Sequence, residues 1–257
     1  MRIYSFLLLV LFFLSSCEKQ DLPGEVITSQ EIVSVLGGSQ NDVAQSAIAT
    51  SDGGFAILGY TQSNNGTISD KSDNSFDFWL LKFNSNAEIE WNKTYGGSDD
   101  DRGRSLIQTS DGGYALLGYN TSTDGDASMN NGSRDFWLIK TDPNGNLIWE
   151  KTIGATDFDA ARSVTKTHDN GFLISGSSRS SDNGFNNQGS NDALVVKVNA
   201  DGILEWQKTV GGSEIDFLYD AIELNNKTII AVGESSSTSG DILENKGFSD
   251  ALIIKIK

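Results

Sequence analysis

Asp77-Phe78-Trp79-Leu80-Leu81-Lys82-Phe83, followed by Glu90-Trp91-Asn92-Lys93-Thr94-Tyr95-Gly96-Gly97, is one copy of a sentence written four times into this chain. The copies lock together on Gly37-Gly38, Gly96-Gly97, Gly154-Ala155 and Gly211-Gly212, at steps of 59, 58 and 57 residues. Behind each pair the order is constant: an aspartate, an apolar run, an Asp-Gly-type turn, a second run with a central Gly, a polar loop, then Asp and two more runs. A fixed period of this length marks a propeller blade or a solenoid unit.

Each copy reads as four strands. Ser51-Asp52-Gly53-Gly54, Ser110-Asp111-Gly112-Gly113 and His168-Asp169-Asn170-Gly171 lie between β-favouring runs. Such pairs form hairpin turns because Gly and Asn accept positive φ. The second run carries a central Gly at 59, 118, 176 and 233, which predicts a bulge or a close backbone approach. The third runs, from Asp77, Asp135, Asp192 and Asp250, are apolar on both faces, as a strand sandwiched between neighbouring sheets requires. The fourth runs carry Trp91, Trp149 and Trp206. The last copy reaches Lys257 after its third strand, and Glu31–Gly38 fits the missing fourth in register. The expected fold is therefore an all-β propeller of four four-stranded blades over residues 27–257, the last blade closed by the N-terminal strand.

The pattern Asp-Gly-Gly-Phe, Gly-Tyr-Thr, Asp-Phe-Trp-Leu-Leu-Lys and Trp-Asn-Lys-Thr-Tyr-Gly-Gly-Ser resembles the β-propeller repeats of bacterial extracellular proteins. Asn144-Gly145-Asn146-Leu147-Ile148-Trp149 is also similar to the quinoprotein propeller repeat. The resemblance implies a fold and not an activity. Quinoprotein enzymes would imply a bound quinone and calcium, but nothing here matches a cofactor site residue by residue.

The N-terminus predicts the cellular address. Met1-Arg2 precedes an apolar run from Ile3 to Leu14 that is too short to span a bilayer, so residues 1–16 read as a signal peptide. Leu14-Ser15-Ser16-Cys17 resembles a bacterial lipobox, and Cys17 is the only cysteine. The expectation is a lipoprotein acylated at Cys17, with residues 17–26 as tether, anchored to the outer membrane. Glu18-Lys19-Gln20-Asp21 resembles the export signal that displays lipoproteins on the cell surface, although Gln20 interrupts the acidic pair.

Formal net charge is −16 over the whole chain. Removing residues 1–16 takes away Arg2 and no acid, leaving 18 basic residues against 35 acidic, or −17. That excess repels phosphate backbones, so nucleic acid is not an expected partner.

Residues repeated in every copy, such as Asp77, Asp135, Asp192 and Asp250 or Lys82, Lys140 and Lys197, read as packing elements, since a catalytic site needs one constellation and not four. Asp42, Asp101, Asp159 and Asp216 stand where each first strand begins, either bonding turn amides or ringing one channel mouth. His168, the single histidine, falls in a turn, and triads or zinc sites have no parts. Asp124–Asp135 loosely resembles a calcium loop, with Met129 in place of the sharp-turn Gly. The expectation is no catalytic, cofactor-binding or metal-ligating residue and no cofactor, with calcium at Asp124–Asp135 as the alternative.

The loops 63–76, 121–134, 179–191 and 236–249 share length but little sequence. They leave on the same face as the connections between repeats, and function gathers on loops held by a rigid scaffold. Met129, Arg134, Arg179, Phe185 and Phe248 are the candidate ligand contacts there. The expected function is a non-catalytic binding or scaffold module for a glycan or protein. The alternative is a glycan hydrolase or lyase built on a pair of carboxylates.

Overall fold

The computed structural model describes residues 32–257. The expected signal peptide (1–16), Cys17, the expected tether (17–26) and residues 27–31 lie outside the described residues. Ile32–Val35 carries no regular structure and is exposed, and the strands all fall within Leu36–Lys257.

The architecture is all-β: four antiparallel sheets and, among the described residues, no helix. The first sheet holds β1 (Asp42–Ala49), β2 (Phe55–Thr61), β3 (Asp77–Phe83) and β4 (Ile89–Tyr95). The second holds β5 (Arg102–Gln108), β6 (Tyr114–Asn120), β7 (Asp135–Thr141) and β8 (Leu147–Ile153). The third holds β9 (Asp159–Lys166), β10 (Phe172–Ser178), β11 (Asp192–Val198) and β12 (Leu204–Val210). The fourth holds β13 (Asp216–Glu223), β14 (Ile229–Ser235) and β15 (Asp250–Ile256). Strand order follows the chain in every sheet.

Stacking of consecutive sheets makes the core. Ala56, Leu58, Phe78 and Leu80 of the first sheet meet Leu106, Leu116 and Ile139 of the second. Ala115, Leu117, Phe136 and Leu138 then meet Ala161, Val164, Ile174 and Val196 of the third, and Leu173 and Val195 meet Leu218, Ala221 and Ala231 of the fourth. This explains why β7 and β11 are buried along their full length, whereas the other face of β3, with Trp79, Leu81 and Phe83, packs against Ile68, Leu36, Phe55 and Ile57. The repeated tryptophans seal the outer rim: Trp91 lies edge-on to Tyr114 and Trp149 edge-on to Phe172.

Closure departs from the expectation. The fourth sheet has three strands, and β15 pairs only with β14. No strand forms in Ile32–Gly38. The Gly-Gly pair is instead held by the first sheet: the Gly38 amide donates to Asp42 Oδ2 and the Gly37 amide to Thr67 Oγ1. Strand β15 alternates between half-buried and exposed residues. Ile253 is 70% exposed where its counterparts Leu80, Leu138 and Val195 are fully buried, because among the described residues no following first strand covers that face. The sheets are not closed into a ring.

Candidate functional site: a basic pocket at the loop end

The antiparallel order 1-2-3-4 places two kinds of connection at opposite ends of each sheet. One end carries only tight turns, and these are pinned. Lys140 Nζ, buried, contacts Asp111 Oδ2 at 2.9 Å, and Lys197 contacts Asp169 at 3.0 Å. Lys82 bridges Asp52 and Glu90. Burial would raise the Asp111 carboxyl, but Thr109 and Lys140 together hold it down at about 2. His168 sits in this end's third turn, half-exposed, with Nδ1 2.6 Å from Glu223 Oε2. It is a surface turn residue.

The other end gathers the long loops and the connections between sheets. The aspartates that begin the first strands tie the two together. Asp101 accepts from the Gly97 amide through Oδ2 and from the Thr121 and Ser122 amides through Oδ1. Asp159 accepts from Ala155, and Asp216 from Gly212. Asp101, Asp159 and Asp216 are fully buried, so they bind turn amides and do not ring an open mouth. Adjacent sheets are further joined by short parallel bridges, Arg134 with Phe158 and Asn191 with Ile215. In these the Arg134 and Asn191 carbonyls accept from the Asp159 and Asp216 amides at 2.7 Å.

One local irregularity repeats in all four first strands. Register breaks between Ala44 and Ser46, between Gly103 and Ser105, opposite Ser175 and Gly176, and between Leu218 and Asp220. The residues left without a ladder partner are Gln45, Arg104, Arg162 and Tyr219. Such bulges re-aim side chains and are frequent beside functional sites. The central glycines are the other half of the device. A Cβ on Gly118 would strike the Arg102 carbonyl, and on Gly176 the Ala160 carbonyl. The bulge thus needs Gly on its partner strand.

Two bulge arginines meet two loop arginines. Arg104, Arg134, Arg162 and Arg179 line a pocket of about 210 Å³ with Tyr119, Phe158, Asn191, Ile215 and Phe217. Arg134 lies over the Tyr119 ring at 4.7 Å and the Phe158 ring at 5.2 Å, and Arg179 lies 5.4 Å from the Phe158 centroid. Arg179 Nε donates to Asn191 Oδ1 at 2.8 Å, and Arg104 Nη1 to Gln45 Oε1 at 3.2 Å. Among the described residues none of the four is ion-paired with a carboxylate; the arginine that is, Arg102, contacts Asp100 and lies beyond the lining.

The sequence-predicted contacts scatter. Arg134 and Arg179 converge on the pocket. Met129 is 44% exposed on the second sheet's loop and Phe248 fully exposed on the fourth's, both outside the lining. Phe185 is buried in the core between the second and third sheets, because its loop position matches Ile68 and Ala127, which are buried in their own clusters. It is a packing residue. Sequence reading passed over Arg104 and Arg162, because the central Gly of the second strand marks a bulge without showing that the facing first strand carries it at these residues.

A second concave region, about 300 Å³, lies between the loops of the first two sheets and is lined by Asp70, Lys71, Asp73, Asp77, Asp124 and Asp126. Burial pushes Asp77 up to about 7 against the pull of Lys71, whose Nζ lies 2.8 Å from Asp77 Oδ2.

The structure thus defines a repeated, propeller-like stack of antiparallel sheets with a basic aromatic pocket at its loop end. No family model matches the chain, and no curated protein sequence matches it. It is similar to a solved structure of a protein of unknown function from Bacteroides caccae, with 14% identity and a TM-score of 0.43. The match covers 73% of this chain and 55% of that one, so this chain spans about half the length of the protein it matches.

Proposed function

We propose that this chain is a non-catalytic binding module of the cell envelope, a four-bladed propeller-like lipoprotein anchored at the outer membrane through Cys17. Its loop end meets a glycan or protein ligand. The observation that carries the reading is the asymmetry of the two ends. Long variable loops and a basic pocket gather at one, whereas buried lysines paired with half-exposed aspartates fix short turns at the other. Ring closure by residues 27–38 is no part of it. Glycan-array and pull-down binding test the reading, with Met129→Ala, Arg134→Ala and Phe248→Ala as loop-end variants. Binding that survives all three and is lost on changing Asn144 or His168 would place the ligand at the wrong end.

The acidic groove supports a second reading, a carboxylate-based glycan hydrolase or lyase. Asp70, Asp124 and Asp126 are not repeated in every copy, and burial raises Asp77 to about 7. A polysaccharide panel decides it: reducing-end release that is lost in Asp124→Asn or Asp126→Asn would replace the binding module with an enzyme.

A further inference from the structure

The basic pocket has a chemistry more specific than binding in general. The chain carries 35 acidic residues against 19 basic ones, yet four arginines converge without a carboxylate partner among the described residues. Gathering uncompensated like charges costs free energy unless an anion is bound there. The Tyr119 and Phe158 rings hold the Arg134 and Arg179 guanidiniums by cation–π contact, and a guanidinium fork grips a planar oxyanion with two parallel hydrogen bonds. Arg179 has its Nε committed to Asn191 and its terminal nitrogens free. The remaining wall is apolar: Phe158, Phe217, Ile215 and Tyr119. Such a surface takes the C–H face of a ring. The volume of about 210 Å³ is below the roughly 300 Å³ at which pockets begin to hold drug-sized molecules, so one ring fits and an extended segment does not.

The charge around the pocket narrows the ligand further. A densely charged polyanion would be repelled by the rest of a −16 chain. A carboxylate set singly on a ring, with neutral neighbours, meets the arginines without that penalty. We propose that the pocket binds one uronate residue of an otherwise neutral glycan, its carboxylate held between Arg134 and Arg179 and its ring against Phe158 and Phe217. This rests on the binding-module reading above and specifies its ligand.

The test is calorimetric titration of the purified full chain with four probes. These are a uronate-containing oligosaccharide, the same oligosaccharide with its carboxyl reduced to the alcohol, a sulfated oligosaccharide, and a glutamate-containing peptide. The expected result is uronate binding at least tenfold tighter than the reduced form, weakening as salt rises. Arg134→Gln with Arg179→Gln should lower affinity tenfold or more with the melting temperature held. Arg134→Lys, which keeps the charge but loses the fork, should also weaken it. Equal binding of acid and reduced forms overturns the proposal. So does uronate binding indifferent to both arginines, or no uronate binding at all. Selective binding of the sulfated probe or the peptide overturns the uronate while leaving the binding module standing. Turnover of any glycan instead overturns the binding module.

Discussion

The Asp135 and Asp159 carboxylates face one another across the junction of the second and third sheets, both fully buried, and a Cβ placed on Gly154 would meet them both. Oδ1 of each finds no hydrogen-bond partner. Burial, helped by the neighbouring Asp159 charge, pushes Asp135 up to about 6. Asp192 rises to about 6 for the same first reason beside Asp216. In the first junction a lysine stands at this position, with Lys71 on Asp77.

A pH optimum of stability follows from the signs. Asp135 and Asp192 bind protons more tightly folded than unfolded. Their stabilisation is full below about 3.8 and is lost as pH rises through about 6. Asp111 is depressed to about 2, so its contribution is present above about 3.8 and is lost as pH falls through about 2. Thermal melts across pH should therefore peak near pH 4–5 and decline toward pH 7. Asp135→Asn should flatten the decline by on the order of 1–3 kcal/mol. A melting temperature that climbs steadily from pH 4 to 8 would contradict the raised carboxyls at these junctions.

The bulge makes a steric prediction. Gly176→Ala drives a Cβ into the Ala160 carbonyl and the Phe136 ring. Backbone cannot yield as a flexible side chain can, so the expected loss is about 3 kcal/mol. Gly53→Ala, at φ +86° with nothing near its Cβ, should cost about 1–2 kcal/mol. Denaturant unfolding of the two variants separates packing from backbone preference.

Asp111→Asn leaves Lys140 buried without its carboxylate. The expected loss is roughly 1–3 kcal/mol, reduced because the Asp111 side chain is itself half in solvent. Asp169→Asn should cost less, since Lys197 keeps Glu205 at 3.0 Å. Urea midpoints in that order support the assignment; equal midpoints do not.

Cys17→Ser should abolish acyl labelling and leave unprocessed precursor in cells. Labelling that continues in the variant would sink the lipobox reading.

The repeat architecture was legible because its signals are local. Asp-Gly turns, the double-faced run at Asp77–Phe83 and the constant spacing of Gly-Gly pairs each specify a strand or turn without tertiary knowledge. Arg134 and Arg179 were legible for the opposite reason, since they interrupt otherwise variable loops at the edge of a rigid sheet. Phe185 misled because an aromatic in a polar loop reads as exposed, although its alignment with Ile68 and Ala127 carried the information. Closure was misjudged because register similarity between Glu31–Gly38 and a fourth strand says nothing of whether the edge is reached. Arg104 and Arg162 stayed hidden because a central Gly signals a bulge but not which residue of the facing strand it releases.

That broken ladder separates two jobs that most strands must perform together. Gln45, Arg104, Arg162 and Tyr219 stand at one equivalent point as an amide, two arginines and a phenol, while the glycines opposite them never change. A residue outside the pairing can be exchanged without disturbing register or core. The surface that this scaffold shows at each bulge is therefore separable from the pairing that builds the sheet.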